Sequence, residues 1–145
     1  MERKTYKEIL HKELSYEIGG LFLRIHDILG RFARELQYSN LFEDLLKEKG
    51  IPYKREVILL TAGQFKNKAD FIIDNKIIVE FKAKPFVTKE DYYQTQRYLQ
   101  ASNLDLAVIV NFRNKYLSPK RVINYSKNKS TPYEQYKLDT NTTKK

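Results

Sequence analysis

The stretch from Ala69 to Ala83, Ala-Asp-Phe-Ile-Ile-Asp-Asn-Lys-Ile-Ile-Val-Glu-Phe-Lys-Ala, admits very few folds. It reads as two strands of alternating side chains joined by a tight turn at Asp74-Asn75, since Asp and Asn tolerate left-handed backbone and apolar runs flank them. One face carries Phe71 and Ile73, then Ile77, Val79 and Phe81. The other carries Asp70, Ile72, Ile78, Glu80 and Lys82. A two-residue loop would pair Ile73 with Lys76 and Asp70 with Val79, mixing both sets. A three-residue loop over Asp74-Asn75-Lys76, or a bulge, pairs Ile73 with Ile77 and sets Asp70 opposite Glu80. Cross-strand partners point to the same side of a sheet. Burial of one face therefore demands the register that also brings the two carboxylates together.

That register has chemical content. Two adjacent carboxylates offer the hard oxygen ligands that Mg²⁺ or Mn²⁺ takes. Lys82, two residues past Glu80 and on the same strand face, would sit beside an attacking water and the developing phosphate charge. The pattern suits metal-dependent cleavage of a phosphodiester. The competing reading is a solvated strand face with salt bridges, and a bare Glu-x-Lys does not choose between them.

A chain of 145 residues, 41% hydrophobic and 31% charged, is long enough for one domain with a sizeable core. It has no cysteine, which excludes disulfides, thiolate metal sites and a cysteine nucleophile and fits a reducing compartment. No apolar run reaches membrane-spanning length, and Tyr6-Lys-Glu-Ile-Leu10 is too charged for a signal-peptide core. The expectation is a cytoplasmic protein with no membrane partner. The net charge of +9 is unevenly spread. Residues 113–145 carry nine Lys/Arg and two Asp/Glu, or +7, which leaves +2 for residues 1–112. We therefore expect one domain over 1–125 and a basic, flexible tail over 126–145. Such a tail attracts phosphate non-specifically or serves only to solubilise.

Periodicity supplies the remaining elements. A helix is predicted from about Tyr6 to Leu29, with Ile18, Leu21, Phe22, Ile25 and Leu29 as its apolar stripe and Gly30 as its stop. Gly19-Gly20 within it would permit close packing of another element. A second helix is predicted from Phe32 to Lys49, burying Leu36, Leu41, Phe42, Leu45 and Leu46 and ending at Gly50. Strands follow at Arg55–Leu60 and in the Asp70–Lys82 hairpin, with Gly63 to Lys68 as a polar connection. Thr88 caps a third helix that ends near Ser102. Leu106-Ala-Val-Ile-Val110 reads as a strand buried on both faces, and Lys120–Tyr125 as an extra edge strand. The fold class is α/β, of the mixed α+β kind: two N-terminal helices, a three-strand antiparallel meander, a helix and a buried strand.

With Asp70 and Glu80-x-Lys82 in these positions, the chain resembles the PD-(D/E)xK nuclease superfamily, and more narrowly a family of small proteins named for a G-x-x-E-x-x-Y signature. The likeness runs from about Leu14 to Tyr125. Glu35 and Tyr38 fall on the E-x-x-Y, while Ile51-Pro52-Tyr53, Ala69-Asp70-Phe71, Ile78 to Ala83, Gln94, Tyr98-Leu99 and Val110-Asn111-Phe112 match further landmarks. The signature glycine is Phe32 here, and alanine rather than proline precedes Asp70.

The resemblance implies a restriction-endonuclease-like core and hydrolysis of nucleic acid, with DNA as the expected substrate. Asp70, Glu80 and Glu35 would ligate Mg²⁺ or Mn²⁺, with the Phe81 carbonyl as a further donor. Lys82 would act on the water and on transition-state charge, Gln94 would orient water or phosphate, and Glu35 would share in catalysis. Tyr38 is either a partner of Glu35 or a packing residue, and His26 is expected in an interhelical or surface hydrogen bond. Lys84 touches phosphate or solvent. Tyr92 and Tyr93 are expected to be partly exposed and Tyr98 to lie in the core, with stacking on bases the alternative for all three. The alternative function is a non-catalytic nucleic-acid or protein interaction module on the same fold. A homodimer or a protein partner fits either reading.

Overall fold

The computed structural model describes residues 10–60 and 66–128. Their order is α1 (Lys12–Leu29), α2 (Glu35–Lys49), β1 (Tyr53–Leu60), β2 (Lys66–Ile73), β3 (Ile77–Lys82), α3 (Lys89–Ser102), β4 (Leu106–Asn111), β5 (Lys120–Ile123) and α4 (Tyr125–Asn128). The strands form one sheet in the order β1-β2-β3-β4-β5. The first three make an antiparallel meander, β4 lies parallel to β3, and β5 returns antiparallel at the edge. This mixed sheet with helices on both faces is a restriction-endonuclease-like fold. Among the described residues no helix is long and apolar enough to cross a membrane.

The hairpin adopts the even register. Ile73 pairs with Ile77, Ile72 with Ile78 and Phe71 with Val79. Asp74 and Asn75 take left-handed backbone, with φ of 49° and 53°, and the Lys76 amide closes the turn on the Ile73 carbonyl at 2.9 Å. Lys76 is then left out of the ladder, and that one extra residue keeps Phe71, Ile73, Ile77, Val79 and Phe81 on one face.

Both N-terminal helices cover that face. Ile18, Leu21, Phe22 and Ile25 of α1 and Tyr38, Phe42, Leu45 and Leu46 of α2 pack with it into the larger core cluster. Phe42 is its centre, within 5.3 Å of the Phe22, Phe71 and Phe81 ring centroids. The opposite face, with Ile72, Ile78, Ala107, Ile109 and Val122, is covered by Tyr92, Tyr98 and Leu99 of α3. β4 is buried throughout, as a strand between two helical layers must be.

Several boundaries and burials differ from expectation. The Tyr6–Ile9 part of the first helix, residues 61–65 and most of the predicted tail (129–145) lie outside the described residues. The second helix starts at Glu35 and not Phe32, because Gly30 turns the chain at φ 73°. The Tyr38 hydroxyl then clamps the bend, donating to the Gly30 carbonyl at 2.6 Å and accepting the Ala33 amide at 3.1 Å. Leu36 is 62% exposed, since among the described residues no element covers its side of the first turn. A Cβ on Gly19 or Gly20 would meet nothing within 4 Å, so neither mediates close packing. β1 begins two residues earlier than expected, and β2 already runs from Lys66, within the expected polar connection. Tyr92 is fully buried, not partly exposed. The last turn, Tyr125–Asn128, is held through Lys127, whose amine reaches Asp105 at 2.7 Å.

Candidate active site

The sheet is interrupted at Asp70. Phe71 belongs to the helix α1/α2 side and Ala69 to the α3 side, although residues two apart on a regular strand share a face. The same switch occurs in β1, where Arg55 lies over the Phe71 ring at 5.6 Å while Val57 packs with Ala69's cluster. Between them Glu56 has a φ of 53°, and the β1–β2 ladder skips the Glu56–Asp70 step. The β2–β3 ladder likewise stops at Phe71–Val79. The strands part here, as at a bulge next to many active sites.

Carboxylates replace the missing ladder bonds. The Asp70 amide donates to Glu80 Oε2 at 2.6 Å, and the Phe81 amide donates to Asp70 Oδ2 at 2.8 Å. Each acid is thus fixed by backbone belonging to the other's strand. Glu80 is only 4% exposed. Burial, and next the charge of Asp70, push its carboxyl up to about 8. Burial also raises Asp70, against the opposing pull of the Phe81 amide and Lys82. A buried and a half-buried carboxylate whose like charges oppose ionisation form a site that a cation would relieve.

Lys82 stands two residues beyond Glu80, close enough to favour ionisation of both acids. Its nearest carboxylate is one the sequence did not point to. Asp91, at the start of α3, lies 3.8 Å from Lys82 Nζ and 2.6 Å from Lys84 Nζ. Asp91 also accepts the Thr88 amide at 2.8 Å, completing the helix cap. Burial works against its charge, but the Lys84 bond and the Thr88 amide hold its carboxyl below the ordinary range. Lys84 is therefore paired, and neither in open solvent nor free for phosphate. Its backbone is fixed as well: its amide donates to Asn111 Oδ1 at 3.2 Å and its carbonyl accepts from Asn111 Nδ2 at 2.7 Å. Thr88-x-x-Asp91 is a capping signature visible in the sequence; its second use by the lysines is not.

Glu35 opens α2 and is exposed. It lines a cleft of about 150 Å³ with Leu36, Ser39, Arg55, Glu56 and Asp70, and its charge reaches Asp70 and Glu80. Glu80 and Lys82 do not line that cleft. Among the described residues no three His, Asp or Glu side chains converge tightly enough to hold a metal ion, so Glu35 does not close on the acid pair here. Gln94 is half-buried on α3, one turn past Asp91. Tyr38 stacks on Phe112 at 4.1 Å, and its hydroxyl serves the bend through Gly30 and Ala33 and not Glu35. Buried Tyr92 and Tyr98 have no face to offer a base. His26 makes an interelement bond, Nε2 to the Asn114 carbonyl at 2.9 Å.

The acid pair suits Mg²⁺ or Mn²⁺. Asp70 and Glu80 each spend one oxygen on a backbone amide, and Mg²⁺ is commonly held by one or two carboxylates with water completing the shell.

A mixed sheet that parts over an Asp–Glu pair, with a lysine two residues on, defines a nuclease-type core. The chain belongs to the PD-(D/E)XK nuclease superfamily, whose family model matches residues 12–124. That membership implies nucleic acid as the substrate class. No curated protein matches the chain significantly. A solved structure titled "Crystal structure of SSO0001" resembles it at a TM-score of 0.45 and 17% identity, over 83% of this chain and 78% of that one. That likeness is too distant to bear on the chemistry.

Proposed function

We propose that this protein is a divalent-metal-dependent nuclease that hydrolyses phosphodiester bonds, with DNA as the preferred substrate. The observation that carries the reading is the pair Asp70 and Glu80, held together where β2 and β3 part, with Glu80 buried and Lys82 beside them. Setting two carboxylates this close, one of them buried, is costly for a purely structural feature even with Lys82 beside them. A binding site repays that cost when its ligand is a cation.

Asp70 and Glu80 would hold Mg²⁺ or Mn²⁺. When bound, the ion acts as a Lewis acid on phosphate oxygen and makes nearby water more acidic. Lys82 places a fixed cation next to the charge that grows on the phosphate oxygens as the water oxygen bonds to phosphorus and the P–O ester bond breaks. Asp91, kept anionic by Lys84 and Thr88, restrains the Lys82 amine on its strand face. Glu35, which lines the cleft with Asp70, would accept a hydrogen bond from solvent entering there, and Gln94 of α3 would orient water or phosphate. Glu35 and Tyr38 support kinship with the G-x-x-E-x-x-Y group.

The test is cleavage of labelled single-stranded and duplex DNA and RNA with Mg²⁺, Mn²⁺ or EDTA, alongside Asp70→Asn and Lys82→Ala. Metal-dependent products from wild type, lost in both variants, support the proposal. Folded wild type that cleaves no substrate in either metal would sink it in favour of a non-catalytic module.

A further inference from the structure

Phe32, which replaces the signature glycine, is 73% exposed on the α1–α2 loop. The Arg31 guanidinium lies 4.9 Å and that of Arg113 5.5 Å from its ring centroid. On the β4–β5 loop Tyr116 is 79% exposed, with Lys115 Nζ 5.4 Å from its ring. Three of the four cation–π contacts among the described residues thus fall on two loops. The loops touch: Arg31 Nε donates to the Arg113 carbonyl at 2.8 Å. They are also tied to the candidate site, since Arg113 donates to the Ala83 carbonyl at 3.1 Å, one residue past Lys82.

The chemistry of this surface is specific. Residues 30–34 and 112–117 contain Arg31, Arg34, Arg113 and Lys115 and no acid. Among the described residues none of the four has an ion-pair partner. Arg113 is half-buried and commits Nη2 to the Ala83 carbonyl without any carboxylate among the described residues to neutralise it. Exposed aromatic rings amid unpaired cations, with no carboxylate between them, match a strand of unpaired nucleotides: bases stack on rings and phosphates meet the cations. A regular duplex hides its base faces and offers such rings nothing to stack on.

We propose that these two loops form a platform for single-stranded nucleic acid next to the cleavage site. Phe32 and Tyr116 each receive an unpaired base, while Arg31, Arg34, Arg113 and Lys115 receive the backbone. The inference deepens the nuclease reading by assigning the substrate a single-stranded segment beside the scissile bond.

The chain has no tryptophan, so Phe32→Trp installs a single reporter. Titration in EDTA, where cleavage is not required, with a single-stranded DNA oligonucleotide should quench its emission. A blunt duplex of equal charge should leave it unchanged at the same salt. Phe32→Ala and Tyr116→Ala should each weaken single-strand affinity about tenfold, measured by anisotropy with a labelled oligonucleotide. Duplex affinity should change less than about twofold, and Phe32→Tyr should retain binding. Equal quenching by duplex or by poly-glutamate, or unchanged affinity in both alanine variants, would overturn the platform. Quenching without cleavage in metal would uphold the platform and reject the enzyme. Cleavage without quenching would do the reverse.

Discussion

Glu80→Gln tests whether the carboxylate pair is a strained cation site or a settled structural feature. In the metal-free folded protein Glu80 keeps its proton to about pH 8, while in the unfolded chain it releases it near 4.5. The folded state therefore binds more protons across that window, and wild-type stability must fall as pH rises through it. At about 1.36 kcal/mol per pH unit, the cost approaches about 5 kcal/mol at pH 8. Part belongs to Asp70, which shares the repulsion. Glutamine retains an acceptor oxygen for the Asp70 amide and removes the titration. We expect Glu80→Gln in EDTA to match wild type within about 1 kcal/mol at pH 4.5. At pH 8 it should be more stable by about 2–4 kcal/mol. Urea melts across pH supply the measurement. Saturating Mn²⁺ should then stabilise wild type at pH 8 and leave the variant nearly unchanged, since only a ligand that binds the folded state shifts the equilibrium. Parallel stability–pH curves for the two proteins would refute the reasoning, because Glu80 would then ionise freely in the fold.

Three further outcomes follow from the geometry. Lys82→Ala should lower metal-dependent cleavage by on the order of 10²–10³-fold with an unchanged circular dichroism spectrum; wild-type rates would remove Lys82 from the mechanism. Asp91→Asn should lower cleavage and cost about 1–3 kcal/mol through Lys82 and Lys84, whereas Thr88→Ala should cost about 1 kcal/mol through the cap alone and leave the rate intact. Equal rate losses in the two variants would show Asp91 to act only as part of the cap. Phe42→Ala should destabilise by about 3–5 kcal/mol in a chemical melt, as it vacates the contact of three rings between the helices and the sheet. A loss under about 1 kcal/mol would mean that these rings close over the gap.

The hairpin register was legible in the residues because strand side chains alternate strictly. A one-residue slip would have put Phe71 and Ile73 on the opposite face from Ile77, Val79 and Phe81. Thr88, Gly30 and Gly50 marked helix ends for an equally local reason, since cap hydrogen bonds and left-handed turns involve only a few neighbouring residues. Whether a residue lies on an apolar stripe is likewise local, but what covers that stripe is not. Leu36 continues the pattern of α2 and yet stands open at the cleft, because among the described residues no element covers it.

The tertiary structure alone decided how the candidate site is held. Opening of the sheet at Asp70 depends on β1, where Glu56 adopts a positive φ that no glycine announces. The pairing of Lys82 and Lys84 with Asp91 joins a strand to a later helix across a proline-containing turn. Phe32 and Arg113, 81 positions apart, meet because α1 ends beside the end of β4. Alternation and capping are encoded residue by residue. Charge pairing and the parting of strands depend on which distant segments packing brings within a few ångströms.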